Sequence, residues 1–130
     1  MPTFNEGRHP GEALLSEGSG QISRESVVIA SGSGLIAPGA VLGRYTSGAD
    51  LGKYSLAPNA AADPDVGNQT AVAVALYGCD ATSADQKVAV IARDAEVKAD
   101  ALVFHSTVND GAKRAAKAAQ LAAVGIIVRA

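Results

Sequence analysis

Residues 70–97 read TAVAVALYGCDATSADQKVAVIARDAEV. Ala71, Ala73 and Ala75 alternate with Val72, Val74 and Leu76, so an extended chain here puts methyl groups on one face and larger apolar groups on the other. Such a strand is expected to be covered on both faces. Val88 to Ala92 is a second apolar run, rich in the β-branched residues that suit a pleated, packed surface. Between them, Gly78 to Gln86 carries Asp80, Thr82, Ser83 and Asp85, whose short side chains bond nearby backbone groups in turns. The pattern predicts two strands joined by a long hairpin loop, after which Arg93, Asp94 and Glu96 return the chain to solvent.

Working outward toward the C-terminus, Leu102 to Phe104 is expected to add a short strand. Asn109 or Asp110 then caps a helix from about Ala112 to Val124, with Gly125 just past its end, and Ile126-Ile127-Val128 closes the chain as a strand. Toward the N-terminus, Glu25 to Ala30 reads as a strand followed by the flexible Ser31-Gly32-Ser33-Gly34. Pro38-Gly39 suits a type II turn between Leu35-Ile36 and Ala40-Val41-Leu42. Tyr45 to Leu51 and Lys53 to Leu56 are expected to pair around Gly48 to Gly52. The fold class is therefore mainly β with one C-terminal α-helix (α+β), without a solenoid repeat.

At 130 residues the chain is long enough for one domain. Residues 1–20 hold Pro2, Pro10, Gly7, Gly11, Gly18 and Gly20 among polar groups, a composition that cannot bury enough to offset ordering entropy. They are expected to form a flexible N-terminal arm, leaving 21–130 as the single domain. Ala13-Leu14-Leu15 is the apolar anchor inside that arm, placed either to order on a partner or to fold back on the domain. With 4% aromatic residues and no Trp, the core contributes less transfer free energy per side chain than usual, which favours further burial between subunits. The methyl face of Ala71, Ala73 and Ala75 is the expected place for trimer or layer packing, because another backbone can come close there.

A net charge of −2 with no long Lys/Arg run lacks the footprint of a nucleic-acid binder. Cys79 is the only cysteine, which excludes an internal disulfide and a cysteine-based zinc site. No signal-peptide core or membrane span is visible, so a soluble chain made in the cytoplasm is expected.

The chemical motifs are weak. Gly32-Ser33-Gly34-Leu35-Ile36-Ala37 fits a dinucleotide fingerprint formally, but Pro38-Gly39 falls where the required helix should propagate. Cys79 with His9 or His105 lacks an orienting partner and reads as a structural thiol. Asp63, Asp65, Asp80 and Asp85 are explained by turn chemistry, and Lys113, Arg114 and Lys117 by a solvated helix face. No catalytic, metal or cofactor-binding residue is assigned. Ser47-Gly48-Ala49-Asp50-Leu51 resembles a segment of trimeric dUTP pyrophosphatases, the alternative reading. The later aspartate–tyrosine motif and the Gly- and Arg-rich C-terminal phosphate loop of those enzymes have no counterpart here.

Gly11-Glu12-Ala13-Leu14-Leu15-Ser16-Glu17, Ile22-Ser23-Arg24-Glu25, Val41-Leu42-Gly43, Asp80 to Asp85, Arg93-Asp94-Ala95-Glu96-Val97 and Leu121-Ala122-Ala123-Val124-Gly125-Ile126 together resemble the tailed-phage head decoration family. The resemblance implies a small β-rich, β-clip-like fold and a homotrimer at local three-fold sites on the outside of the expanded head. Its partner would be the major capsid protein, its role to stabilise the head against internal DNA pressure, and its location the capsid exterior, with no enzyme activity. In that reading Gly11, Glu12, Ala13, Leu14, Leu15 and Ser16 form the capsid-binding arm. Compared with the short lambda-type decoration protein, the N-terminal segment differs and the region before the helix is longer.

Overall fold

The computed structural model describes residues 9–19, 22–62 and 64–130. In chain order the strands are β1 (Leu14–Glu17), β2 (Arg24–Ile29), β3 (Gly34–Ile36), β4 (Val41–Arg44), β5 (Tyr54–Leu56), β6 (Ala71–Ala75), β7 (Cys79–Ala81), β8 (Gln86–Ile91) and β9 (Ala95–Lys98). The helix α1 (Gly111–Ala123) and strand β10 (Ile126–Arg129) complete the chain. The fold is mostly β with a single C-terminal helix, as expected. No helix among the described residues is long and apolar enough to cross a membrane.

Strands β2, β5, β4, β6 and β8 close into a barrel in that order. Alternate positions from these strands converge on its interior, where Ile29, Leu42, Ala73, Ala75, Val88 and Val90 are buried with Tyr54 and Leu56 packed against them. Residues of the opposite parity, Val41, Val74 and Ile91, join a second cluster with Val97, Leu121 and Ile126. That outer cluster fills the space between the barrel wall, α1 and a three-stranded sheet ordered β1-β9-β10.

The two strands expected in the opening stretch are β6 and β8, and they pair antiparallel through Val74–Ile91 and Ala75–Val90. The segment between them differs from expectation. Cys79–Ala81 is itself a strand, β7, and pairs antiparallel with β3 outside the barrel. The turn chemistry there is real but local: Asp80 Oδ1 accepts from the backbone N–H and the hydroxyl of Thr82.

The alanine alternation also changes meaning. Opposite β4, Leu42 faces Ala73 and Gly43 faces Ala71, so Val72 is the extra residue of a β-bulge. The bulge reverses the phase of the strand. Ala73 and Ala75 face the barrel interior, whereas Ala71 joins the outer cluster with Val74. All three are buried by their own chain at 0–2% exposure, so the methyl face packs between layers of one subunit and is not open for contact with another. The bulge depends on Gly43, where an added Cβ would lie 1.8 Å from the Asn68 carbonyl oxygen. A side chain there would drive the 68–70 segment off the barrel.

Local signals set several joints. Pro38-Gly39 makes the expected turn, with Gly39 at φ +89° and the Ala40 N–H donating to the Ala37 carbonyl at 3.1 Å. Asp110 caps α1 by accepting from the Lys113 N–H at 2.9 Å, and Gly125 follows the C-terminal Val124. Leu102 to Phe104 is not a strand: a 3₁₀ turn at Ala99–Ala101 leads to an isolated parallel bridge between Val103 and Ala40.

The expected arm needs the largest revision among the described residues. The Gly11 N–H donates to the Leu76 carbonyl at 2.8 Å, Ala13 is 3% exposed, and Leu14–Glu17 pairs antiparallel with β9. Residues 11–17 are thus part of the folded domain, while residues 1–8 and 20–21 of the expected arm lie outside the described residues. The composition argument fails here because β9 supplies a partner 80 residues away: Ser16 faces Glu96. Arg93 and Asp94 are exposed as expected, but the chain does not leave the fold there: Ala95 and Val97 are buried in the middle strand of the sheet.

Lys117 is a further correction. It does not belong to a solvated helix face but is 1% exposed, with its Nζ donating to the Gln69 carbonyl oxygen, and burial holds its pKa below the ordinary lysine value. The Gln120 side chain, one residue short of a turn further on, accepts from the Ala71 N–H at 2.8 Å. These two contacts clamp α1 onto the bulge.

Candidate functional site

Among the described residues, β1 and β10 are the edge strands of the β1-β9-β10 sheet, each paired on one side only. An open edge presents backbone donors and acceptors to any strand that can align with it. Along β1 the expected contact residues separate into distinct roles. Ala13 is core, Leu14 packs partly buried against the outer cluster, and Gly11 is held by its backbone. Glu12 and Ser16 are exposed, and Leu15, at a register shift between Leu14 and Ser16, is 51% exposed. The leucine pair is therefore half anchor and half surface.

Residues to which the sequence assigned no part in this contact, Glu96, Ile127 and Arg129, complete this face. The Ser16 hydroxyl donates to Glu96 Oε2 at 2.9 Å, and Arg129 donates to Glu96 Oε1 at 2.8 Å through Nη2 and 3.1 Å through Nε. Arg129 first, then Ser16, hold the Glu96 carboxyl below the usual glutamate value. Ile127, beside Glu96 in the register, is 38% exposed. At the end of β1, Arg24 grips Glu17 with three bonds of 2.7–3.1 Å, and that hydrogen bonding lowers the Glu17 pKa. The face combines apolar Leu15 and Ile127 with a hydrogen-bonded Ser–Glu–Arg row. Its sequence signal is faint: AEVK and IIVR are four-residue strands, recognisable only once they are known to be neighbours.

The other motifs are not gathered into this face. Asp50 sits in an exposed loop and pairs with Lys53 at 3.6 Å, and Lys53 also holds Asp85 at 2.9 Å. Cys79 is half-buried, and burial, then the nearby Asp80, pushes its thiol up and away from the reactive thiolate. His105 is engaged with Thr107. Ala73 and Ala75 are buried inside the barrel and Ala71 in the outer cluster.

The family model of the bacteriophage lambda head decoration protein D matches residues 3–126 of the 130-residue chain. The chain belongs to this family. No curated protein matches it. A structural role on the phage capsid goes with membership in the decoration family, and the matched residues span the GEALLSE, RDAEV and LAAVGI runs. Two of those runs meet in space: β1 from the first lies against β9 from the second, and β10, which begins at the end of the third, completes the sheet.

Proposed function

We propose that this head decoration protein binds the outside of the expanded phage shell as a homotrimer at local three-fold sites and reinforces the head against the pressure of packed DNA. A trimer touching several capsid subunits adds binding free energy that exists only while the lattice is intact. The contact lies within Gly11 to Ser16, with Glu12, Leu15 and Ser16 at the surface and Gly11, Ala13 and Leu14 holding the segment on the domain. The observation that supports it is the edge position of β1 with Leu15 exposed beside it. A capsid strand adding to that edge would gain affinity from backbone hydrogen bonds and specificity from Leu15. Residues 1–8 extend the same arm in sequence. The partner is the major capsid protein, and no enzymatic step is part of this reading.

Leu15→Asp tests the contact without touching the core. Co-sedimentation with purified expanded shells should show at least tenfold weaker binding, while circular dichroism and thermal unfolding stay close to wild type. Equal binding at equal salt would remove β1 from the interface.

A further inference from the structure

A second surface feature lies away from the β1-β9-β10 sheet. Loop 31–33 after β2, Tyr45 after β4, the end of β5 and the 105–106 turn enclose a solvent-open hollow of about 390 Å³. None of its lining residues belongs to β1, β9 or β10, and none is Lys, Arg, Asp or Glu. Its size falls at the lower end of small-molecule sites, roughly 300–1,000 Å³. The lining side chains offer a phosphate or a carboxylate no permanent opposite charge, and the carboxylate beside the lining, Asp85, which accepts from the Ser31 N–H, is already paired with Lys53. A neutral ligand rich in hydroxyl groups needs no such charge.

The polar groups are held in position. The Thr107 N–H donates to His105 Nδ1 at 3.1 Å, and the Thr107 hydroxyl lies 2.9 Å from the same nitrogen. In the neutral ring the proton then resides on Nε2, which becomes a fixed donor. Thr107 is itself held in place, since its hydroxyl oxygen accepts from the N–H of Asn59, the residue after Pro58 of the lining, at 2.9 Å. Asn68 donates through Nδ2 to Ser55 at 2.9 Å, but its buried Oδ1 has no partner among the described residues. An unfilled buried acceptor is costly, and a ligand hydroxyl that reached it would satisfy it. Ser31 and Ser106 add exposed hydroxyls at the rim. Tyr45, Leu56 and Pro58 supply an apolar wall with an aromatic ring.

Fixed donors and acceptors, hydroxyls, an aromatic wall and no formal charge match the two-sided chemistry of a pyranose, which is polar around its rim and apolar on its C–H faces. We propose that this hollow binds a neutral sugar ring, either as a free monosaccharide or as a terminal unit of a polysaccharide. The assignment stands independently of the docking contact.

The test uses the full-length protein. ¹H–¹⁵N NMR titrations with neutral methyl pyranosides form one arm, and an array of bacterial oligosaccharides and polysaccharides the other. The expected result is saturable shifts of the Ser31, Tyr45, His105 and Ser106 amides with a Kd on the order of millimolar or tighter. Affinity should fall at least tenfold in Tyr45→Ala and in His105→Ala, and be unchanged in Leu15→Asp. Should Tyr45→Ala fail to fold, Tyr45→Phe and Ser106→Val keep the wall and remove single hydroxyls, with a several-fold loss expected from each. Response to the monosaccharides supports a free-sugar site, and response to the polymers alone supports a terminal-unit site. Absence of shifts around the hollow in both arms overturns the proposal. Binding confined to acidic glycans, or affinity indifferent to all these variants, overturns it equally.

Discussion

In the barrel every strand has two neighbours, whereas in the β1-β9-β10 sheet only β9 does. Closure removes strand edges altogether, and with them any template for pairing with another chain. The barrel interior is correspondingly self-contained, with Ile29, Leu42, Val90 and the inward Ala73 and Ala75 of β6 fully buried. The small sheet uses one face for the outer core and exposes Leu15 and Ile127 on the other, and among the described residues its two edge strands have no second partner. One region secures the fold; the other is where a partner can add itself without the fold being opened.

That contrast can be broken by experiment. The largest effect belongs to Leu42→Ala in the barrel interior, where the native side chain is 0% exposed. It should cost about 2–5 kcal/mol, the transfer term plus a cavity that a closed barrel cannot easily collapse. Urea unfolding followed by circular dichroism measures it, and a cost below about 1 kcal/mol would mean that the barrel is loosely packed. Ala73→Leu probes the same space from the other direction. Ala73 is 1% exposed and faces Leu42 across the β4–β6 pair, so the added bulk should cost about 1–3 kcal/mol. Unchanged thermal stability would place Ala73 against empty space or solvent.

Lys117 tests the joint between the two regions. Its folded pKa lies below the 10.5 of a free lysine because burial disfavours the ammonium. Between the two values the unfolded chain binds more protons than the folded one, so this residue's contribution makes stability rise with pH across that window. Lys117→Met keeps most of the packing and should abolish that rise, read as the difference in Tm between wild type and variant from neutral to alkaline pH. A pH-independent difference would mean that the ammonium is solvated in the folded protein. The smallest stability effect is expected at the open edge. Leu15→Ala should change unfolding free energy by no more than about 0.5 kcal/mol, because Leu15 is half exposed while its neighbours Ala13 and Leu14 hold β1 in place. A larger loss would show that the exposed face contributes to the fold as the barrel does.

The division between buried and exposed also sets where a truncation of the N-terminal segment can end. Removing residues 1–15 would delete Ala13 from the core and half of β1, so it would test folding and docking at once. A deletion ending at residue 8 leaves every described contact in place.

The sequence by itself determined the features whose signals are local: the Asp110 cap and the end of α1 before Gly125, the Pro38-Gly39 turn, and strands β6 and β8. Each needs only a few adjacent residues, because capping groups, positive-φ turns and side-chain alternation act within one or two turns of chain. The head decoration resemblance was legible for another reason, since its runs are spread over nearly the whole chain. Only the tertiary structure decided the rest. The pairing of Leu14 with Val97, the closure of the barrel through Ile29 and Tyr54, and the burial of Lys117 against Gln69 all join residues distant in sequence. A four-residue strand such as β1 or β9 carries too little periodicity to declare itself. It becomes a strand when another part of the chain satisfies its backbone, and the bulge at Val72, which turns Ala71 away from Ala73, exists only opposite Gly43.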